Sequence, residues 1–204
     1  VGRYNVSNLL GVIAAARTLG VSLRDAVHAC IRLGPVPGRM EPVHGRGPGL
    51  EPLVLVDYAH TPDALQQALL ALQPLASRRA GRLWVVVGCG GDRDPGKRPL
   101  MAASAEAQAD EVVLTSDNPR SEDPQAILAQ MRAGLRHPER VTVEVDRARA
   151  IGLAAVRAQV ADVVLVAGKG HEDYQEIQGV RRPFSDRDEV RAALLGRREA
   201  EAAT

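Results

Sequence analysis

Four clusters of polar, glycine-rich or charged residues hold the chemical options of this chain, and each begins where a short apolar run stops. They are Asp57-Tyr58-Ala59-His60 after residues 53–56, Gly88-Cys89-Gly90-Gly91-Asp92-Arg93 after 83–87, Asp117-Asn118-Pro119-Arg120 after 112–114, and Gly168-Lys169-Gly170-His171-Glu172 after 163–166. Arg93 can grip a carboxylate bidentately, while neighbouring acids can hold an ammonium. Together these residues suit a zwitterionic ligand. Arg120, directly after a proline in a turn, reads as a carboxylate or phosphate anchor. The turn at 168–172 offers backbone N–H groups to an anion, and Glu172 offers a carboxylate to a cation. Only two of the 26 basic residues are lysine, and both, Lys97 and Lys169, fall in these glycine-rich segments. There a flexible ammonium can reach an anion. Chance placement of so few residues is the alternative.

One motif tempts and fails. Residues 91–97 match the G-x-x-x-x-G-K spacing of a phosphate-binding loop and follow an apolar run, as that motif requires. Position 98 is arginine, so the hydroxyl that would hold magnesium is absent, and Asp92 and Asp94 inside the loop would repel phosphate. Neither Cys30 nor Cys89 lies in a pattern with histidine that suggests a nucleophile, and two isolated thiols fit a reducing compartment better than a disulfide framework. The five histidines show no paired spacing of the kind zinc requires, so no metal site is expected.

Apolar runs of this length bounded by turn residues read as buried parallel strands. In an open parallel sheet, ligands bind outside the carboxyl ends of the strands, which would pool the four clusters at one edge. Helices are expected at 5–19 and from Ser22 to Gly34, the second opened by Ser22 and Asp25 as a capping box. The prolines and glycines of 34–38 read as a linker, with a domain boundary near Pro37. A hairpin of residues 40–43 and 53–57 follows, turning at 45–49. Helices near 62–75, 98–108, 124–135 and 147–159 then alternate with strands, including one at 141–145, and a last helix covers 189–195. Asp123 before Pro124 fits an N-cap followed by proline at the first helical position. This alternation predicts an α/β fold with a doubly wound, mostly parallel sheet.

Composition narrows the function. A chain of 204 residues with 45% hydrophobic and 25% charged content can bury one good core. A net charge of +1 with only one Trp, three Tyr and one Phe argues against a nucleic-acid platform. No run approaches the ~20 apolar residues that span a bilayer, and no secretion signal is visible. A cytoplasmic protein is expected.

The strings DYAHTPDAL, GCGGDRDPGKRP, TSDNPRSEDP and AGKGHEDYQ, in that order, resemble the Mur ligase family. The resemblance runs from NVSNLL onward and implies less than half of such an enzyme: residues 1–37 as the end of a central ATPase domain, residues 38–204 as the Rossmann-like carboxyl-terminal domain. It implies an ATP-dependent amino-acid ligase of peptidoglycan synthesis, acting through an acyl phosphate, and the DNPR form resembles members that add meso-diaminopimelate to a UDP-MurNAc-dipeptide. Asn5, Asn8, Arg39, Asp57 and His60 would then face ATP. Arg93, Asp117, Asn118, Arg120, Gly168 and Glu172 would face the amino acid, with Lys97 and Lys169 adding charge nearby. The Mg2+ ligands, the phosphate loop and the UDP-binding domain would lie in the missing domains, so this chain alone is expected to be inactive, and a monomer. L-ornithine or L-lysine as substrate, or a non-catalytic amino-acid-binding module, are the alternatives.

Overall fold

The computed structural model describes residues 3–34 and 36–202, with side chains for 6–34 and 36–197. Two helices, α1 (Arg3–Thr18) and α2 (Leu23–Ile31), come first, and the Ser22 hydroxyl caps α2 by accepting from the Asp25 N–H. The expected hairpin follows: β1 (Glu41–Val43) pairs antiparallel with β2 (Leu53–Asp57). Its loop is closed by buried Glu51, whose carboxylate accepts the N–H groups of Gly45, Arg46 and Gly47.

The chain then alternates: α3 (Pro62–Arg78), β3 (Leu83–Cys89), α4 (Lys97–Gln108), β4 (Glu111–Ser116), α5 (Pro124–Arg132), β5 (Thr142–Val143), α6 (Arg147–Arg157) and β6 (Val163–Ala167). The sheet order is β1-β2-β6-β3-β4-β5, parallel throughout except at β1. After β5 the chain crosses back so that β6 inserts between β2 and β3.

Both faces are covered, so the strands are apolar on both sides. Leu83, Val85, Val87 and Cys89 of β3 point to one face, where they pack with residues of α3, α4 and α5. Trp84 and Val86 point to the other, against α6 and the final helix α7 (Asp186–Ala202). At the amino ends of the strands buried Asp162 accepts the Trp84 indole N–H at 3.0 Å and the Arg82 N–H at 2.7 Å, tying that edge shut. The opposite, carboxyl edge is left for the loops.

Helices α5 and α6 stop short of the expected ends, at Arg132 and Arg157, and α7 extends beyond the expected 189–195 on both sides. Three further elements differ from the sequence expectation. Helix α3 continues past Leu75 through Pro74, because the carbonyl that loses its donor belongs to half-exposed Leu70 on the solvent side. Strand β5 is two residues long rather than five. An unforeseen antiparallel hairpin, β7 (Tyr174–Ile177) and β8 (Val180–Pro183), stands apart from the main sheet and turns on Gln178 and Gly179, both at positive φ.

Candidate functional site

The last residues of β2 and β6 pair with each other, as do those of β3 and β4, with β3 running two residues past β6, so the four loops leave from one edge of the sheet. Direct bonds join them. The Gly168 N–H donates to the Asp57 carbonyl across β6 and β2 at 3.1 Å, and the Gly91 N–H donates to the Asn118 carbonyl at 2.9 Å. Two groups of side chains result.

The first surrounds Asp57. Asn8 from α1, Arg39, Asp57, Val36, Ala64, Gln67 and Ala68 line a cavity of about 510 Å³. One Asp57 oxygen accepts the Met40 N–H at 2.7 Å and the other the Ala59 N–H at 2.9 Å, which fixes the carboxylate and leaves each oxygen further acceptor capacity. Burial pushes its carboxyl above the ordinary range, against those two donors and Arg39, which pull it down. The Arg39 guanidinium lies 5.0 Å from the Tyr58 ring centroid, and Tyr58 also contacts the rings of His60 and His171. Gly38 is needed here: a Cβ would lie 2.2 Å from the His171 nitrogen, so only glycine lets the segment after the linker reach the β6 loop. His60 is exposed beside this group, and its carbonyl accepts the Lys97 ammonium at 3.1 Å. Asn5 lies in α1, but its side chain falls outside the described residues.

The second group gathers Asp117, Asn118, Lys169 and Glu172. The Lys169 ammonium donates to Asn118 Oδ1 at 2.9 Å and to Glu172 at 3.2 Å, with Asp117 at 3.8 Å. Asn118 in turn donates to Glu172 at 2.8 Å. Lys169 is fully buried, so the expectation of an ammonium reaching outward is corrected: its anions are the protein's own. Gly168 sits at φ +119°, where a Cβ would come within 2.6 Å of an Asp117 carboxylate oxygen. Its N–H, expected to face an anion, is engaged by Asp57.

Arg120 lies beside this cluster. Its backbone is at φ +54°, held there by its N–H donating to the Glu176 carbonyl, and its guanidinium donates to the Gly91 carbonyl at 2.7 Å. The β7–β8 hairpin braces the same loop: Gln175 donates to the Asp117 carbonyl and the Glu176 N–H to Asn118 Oδ1.

The loop that imitates a phosphate-binding motif is closed internally. Asp92 accepts from the Ser121 N–H and hydroxyl, and Asp94 accepts the Gly96 N–H. Arg93 on this loop is exposed and donates to its neighbour's carbonyl. Arg98, the residue that breaks the motif, is buried; it forks onto Glu122 at 2.7 and 2.8 Å and donates to Gln130 and the Gly90 carbonyl. That pair holds the Glu122 carboxyl down at about 2. Burial pushes the Cys89 thiol up to about 12, so it stays protonated at neutral pH. Sequence reasoning missed Glu122, Arg147, Gln175 and Asp186. Only the turn at Gln178-Gly179 carried a readable signal, for the hairpin that holds Gln175.

A mostly parallel α/β sheet, covered by helices on both faces and carrying its polar loops on one carboxyl edge, defines a doubly wound, Rossmann-like domain. The chain belongs to the Mur ligase family: residues 38–170 match the model described as "Mur ligase, glutamate ligase domain". It is 61% identical over 197 residues to the UDP-N-acetylmuramoyl-L-alanyl-D-glutamate--2,6-diaminopimelate ligase of Acidovorax sp. (strain JS42), covering 97% of this chain and 39% of that protein. The protein of the same name from Ralstonia nicotianae is 56% identical, with 97% and 38% covered. A solved structure under that name superposes with a TM-score of 0.74 at 46% identity, over 100% of this chain and 40% of the other. The chain thus spans about two-fifths of the length of these relatives.

Proposed function

We propose that this chain is the carboxyl-terminal portion of an ATP-dependent ligase that adds meso-diaminopimelate to UDP-N-acetylmuramoyl-L-alanyl-D-glutamate in the cytoplasm, as a monomer. Residues 1–37 belong on this reading to the end of a central ATPase domain and 38–204 to the amino-acid-binding domain. The exposed apolar side chains of α1 and α2, among them Leu10, Val12, Leu23 and Ile31, suit a face that the rest of a longer protein covers.

ATP phosphorylates the free glutamate carboxylate; the incoming amine then attacks the acyl carbon, loses its proton and expels phosphate. The work of this chain is to hold the reactants in place. Asn5 and Asn8 lie three residues apart and meet the adenine. Asp57, with acceptor capacity left on both oxygens, takes the ribose hydroxyls, Arg39 the terminal phosphate, and His60 and Lys97 lie at the same edge. On this reading the Mg2+ ligands belong to the rest of the protein.

One observation carries the amino-acid assignment: the DNPR loop holds the Arg120 guanidinium on the Gly91 carbonyl, and the Asp117 and Glu172 carboxylates of the DNPR and β6 loops flank the buried Lys169 ammonium. The far end of diaminopimelate is itself a carboxylate beside an ammonium. Arg120 takes the carboxylate, Glu172 and Asp117 the ammonium, Asn118 and Gly168 shape the floor, and Arg93 grips the near carboxylate. Lysine and ornithine lack the distal carboxylate and leave Arg120 without a ligand. The test is ligation by the full-length protein with ATP, the UDP-linked dipeptide and an equimolar mixture of the three amino acids, read by product mass. A diaminopimelate adduct supports the reading; a lysine or ornithine adduct overturns the substrate, and no adduct overturns the activity.

A further inference from the structure

We infer that Arg147, anchored by Asp186, is a positioning residue that sets the spacing between the two loops of the amino-acid site; the inference rests on the reading just proposed. Arg147 opens α6 directly after its N-cap Asp146. A cation at a helix amino terminus opposes the macrodipole, so local helix preference does not explain it. Both side chains of the pair are fully buried. The guanidinium donates to Asp186 through Nε and Nη2, each at 2.7 Å, which orients it as a rigid fork.

Its remaining contacts are the telling ones. Nη1 donates to the Ser116 carbonyl at 3.2 Å and Nη2 to the Ala167 carbonyl at 3.0 Å. Ser116 is the last residue of β4 and Ala167 the last of β6. In the sheet these strands are not neighbours, because β3 runs between them. One planar group therefore bridges two strand ends across a third. The residues that follow are Asp117 and Asn118 on one side, Gly168 and Lys169 on the other. Nη2 also lies 3.9 Å from where a Gly168 Cβ would stand, a position itself 2.6 Å from the Asp117 carboxylate. No slack separates the guanidinium from the loops it spans. A buried ion pair is weak evidence for stability, since apolar replacements often serve as well; what this fork fixes is distance. Through Asp186, the first residue of α7, the carboxyl-terminal helix becomes part of the frame of the site.

The test is made in the full-length ligase with Arg147→Lys, which keeps the charge and loses the fork, and Asp186→Asn, which keeps the shape and loses the anchor's charge. Leu72→Ala, in the core on the opposite face of the sheet, serves as a destabilised control, and Arg120→Ala as the direct-contact control. A displacement of about an ångström at the loops predicts a KM for diaminopimelate raised roughly tenfold to a hundredfold in both positioning variants. KM for ATP should stay within about twofold, because the Asp57 carboxylate is held by the Met40 and Ala59 N–H groups and the fork reaches that strand only through the Gly168 backbone. Leu72→Ala should lower the melting temperature and leave both KM values in place. If Arg147→Lys does not yield folded enzyme, Asp186→Asn decides alone. A normal diaminopimelate KM in the positioning variants, with Arg120→Ala impaired, overturns the inference and spares the functional reading. Equal rises for ATP and diaminopimelate, or the same split in Leu72→Ala, also overturn it. A normal KM in Arg120→Ala overturns the reading on which it rests.

Discussion

Replacing Lys169 by methionine in the full-length protein should destabilise the domain by about 3–5 kcal/mol, the cost of leaving buried charge without its partner. The ammonium is fully buried, 3.2 Å from Glu172 and 3.8 Å from Asp117. With an effective dielectric constant near 20 these separations correspond to roughly 5 and 4 kcal/mol of attraction before desolvation is subtracted. Methionine fills nearly the same volume, so no cavity confuses the result. What is lost is the charge that holds two carboxylates and the Asn118 amide together. The comparison is Arg82→Ala, which breaks a pair whose arginine is 68% exposed and should cost about 0.2–1 kcal/mol. Hydrogen exchange of peptides covering β4 and β6 reads the local free energy of opening. Equal protection in Lys169→Met and Arg82→Ala would refute the argument that this cluster depends on its buried ammonium.

Further consequences follow from other contacts. Gly168→Ala places a Cβ against the Asp117 carboxylate at a strained φ, so KM for diaminopimelate should rise at least about tenfold, with KM for ATP unchanged, in steady-state kinetics. The Glu122 carboxyl titrates at about 2 in the folded protein against an ordinary 4.5, so its contribution to stability is present above pH 4.5 and is lost as pH falls toward 2. Glu122→Gln should flatten the fall of melting temperature across that window; an unchanged acid profile would contradict the Arg98 pairing. Cys89, with its thiol pushed up to about 12 and buried, should escape alkylation at pH 8 in the native protein and react after denaturation, as peptide mass spectrometry would report.

The sheet and its carboxyl edge were legible because uninterrupted apolar runs such as residues 163–166 suit strands buried on both faces, and because each run stopped at a polar cluster. The alternation of strands and helices announced the crossovers. The β7–β8 hairpin left a trace only at its Gln178-Gly179 turn: Tyr174–Ile177 is only half-buried and Val180–Pro183 exposed, so neither strand carries an apolar alternation. The buried charges were hidden for another reason. Arg98 finds Glu122 24 residues away and Arg147 finds Asp186 39 residues away, and local spacing carries no trace of such partners. Lys169 was visible as a rare lysine, but its burial depends on three partners, two of them on a different strand's loop.

The most direct test of the amino-acid assignment is the steady-state kinetics of Arg120→Ala in the full-length ligase, with ATP and diaminopimelate varied in turn. One charge-assisted carboxylate contact is worth about 1.5–3 kcal/mol, so KM for diaminopimelate should rise roughly tenfold to a hundred-and-fiftyfold while KM for ATP holds. An equal loss for both substrates would contradict the claim that this strand-end loop reads the distal carboxylate.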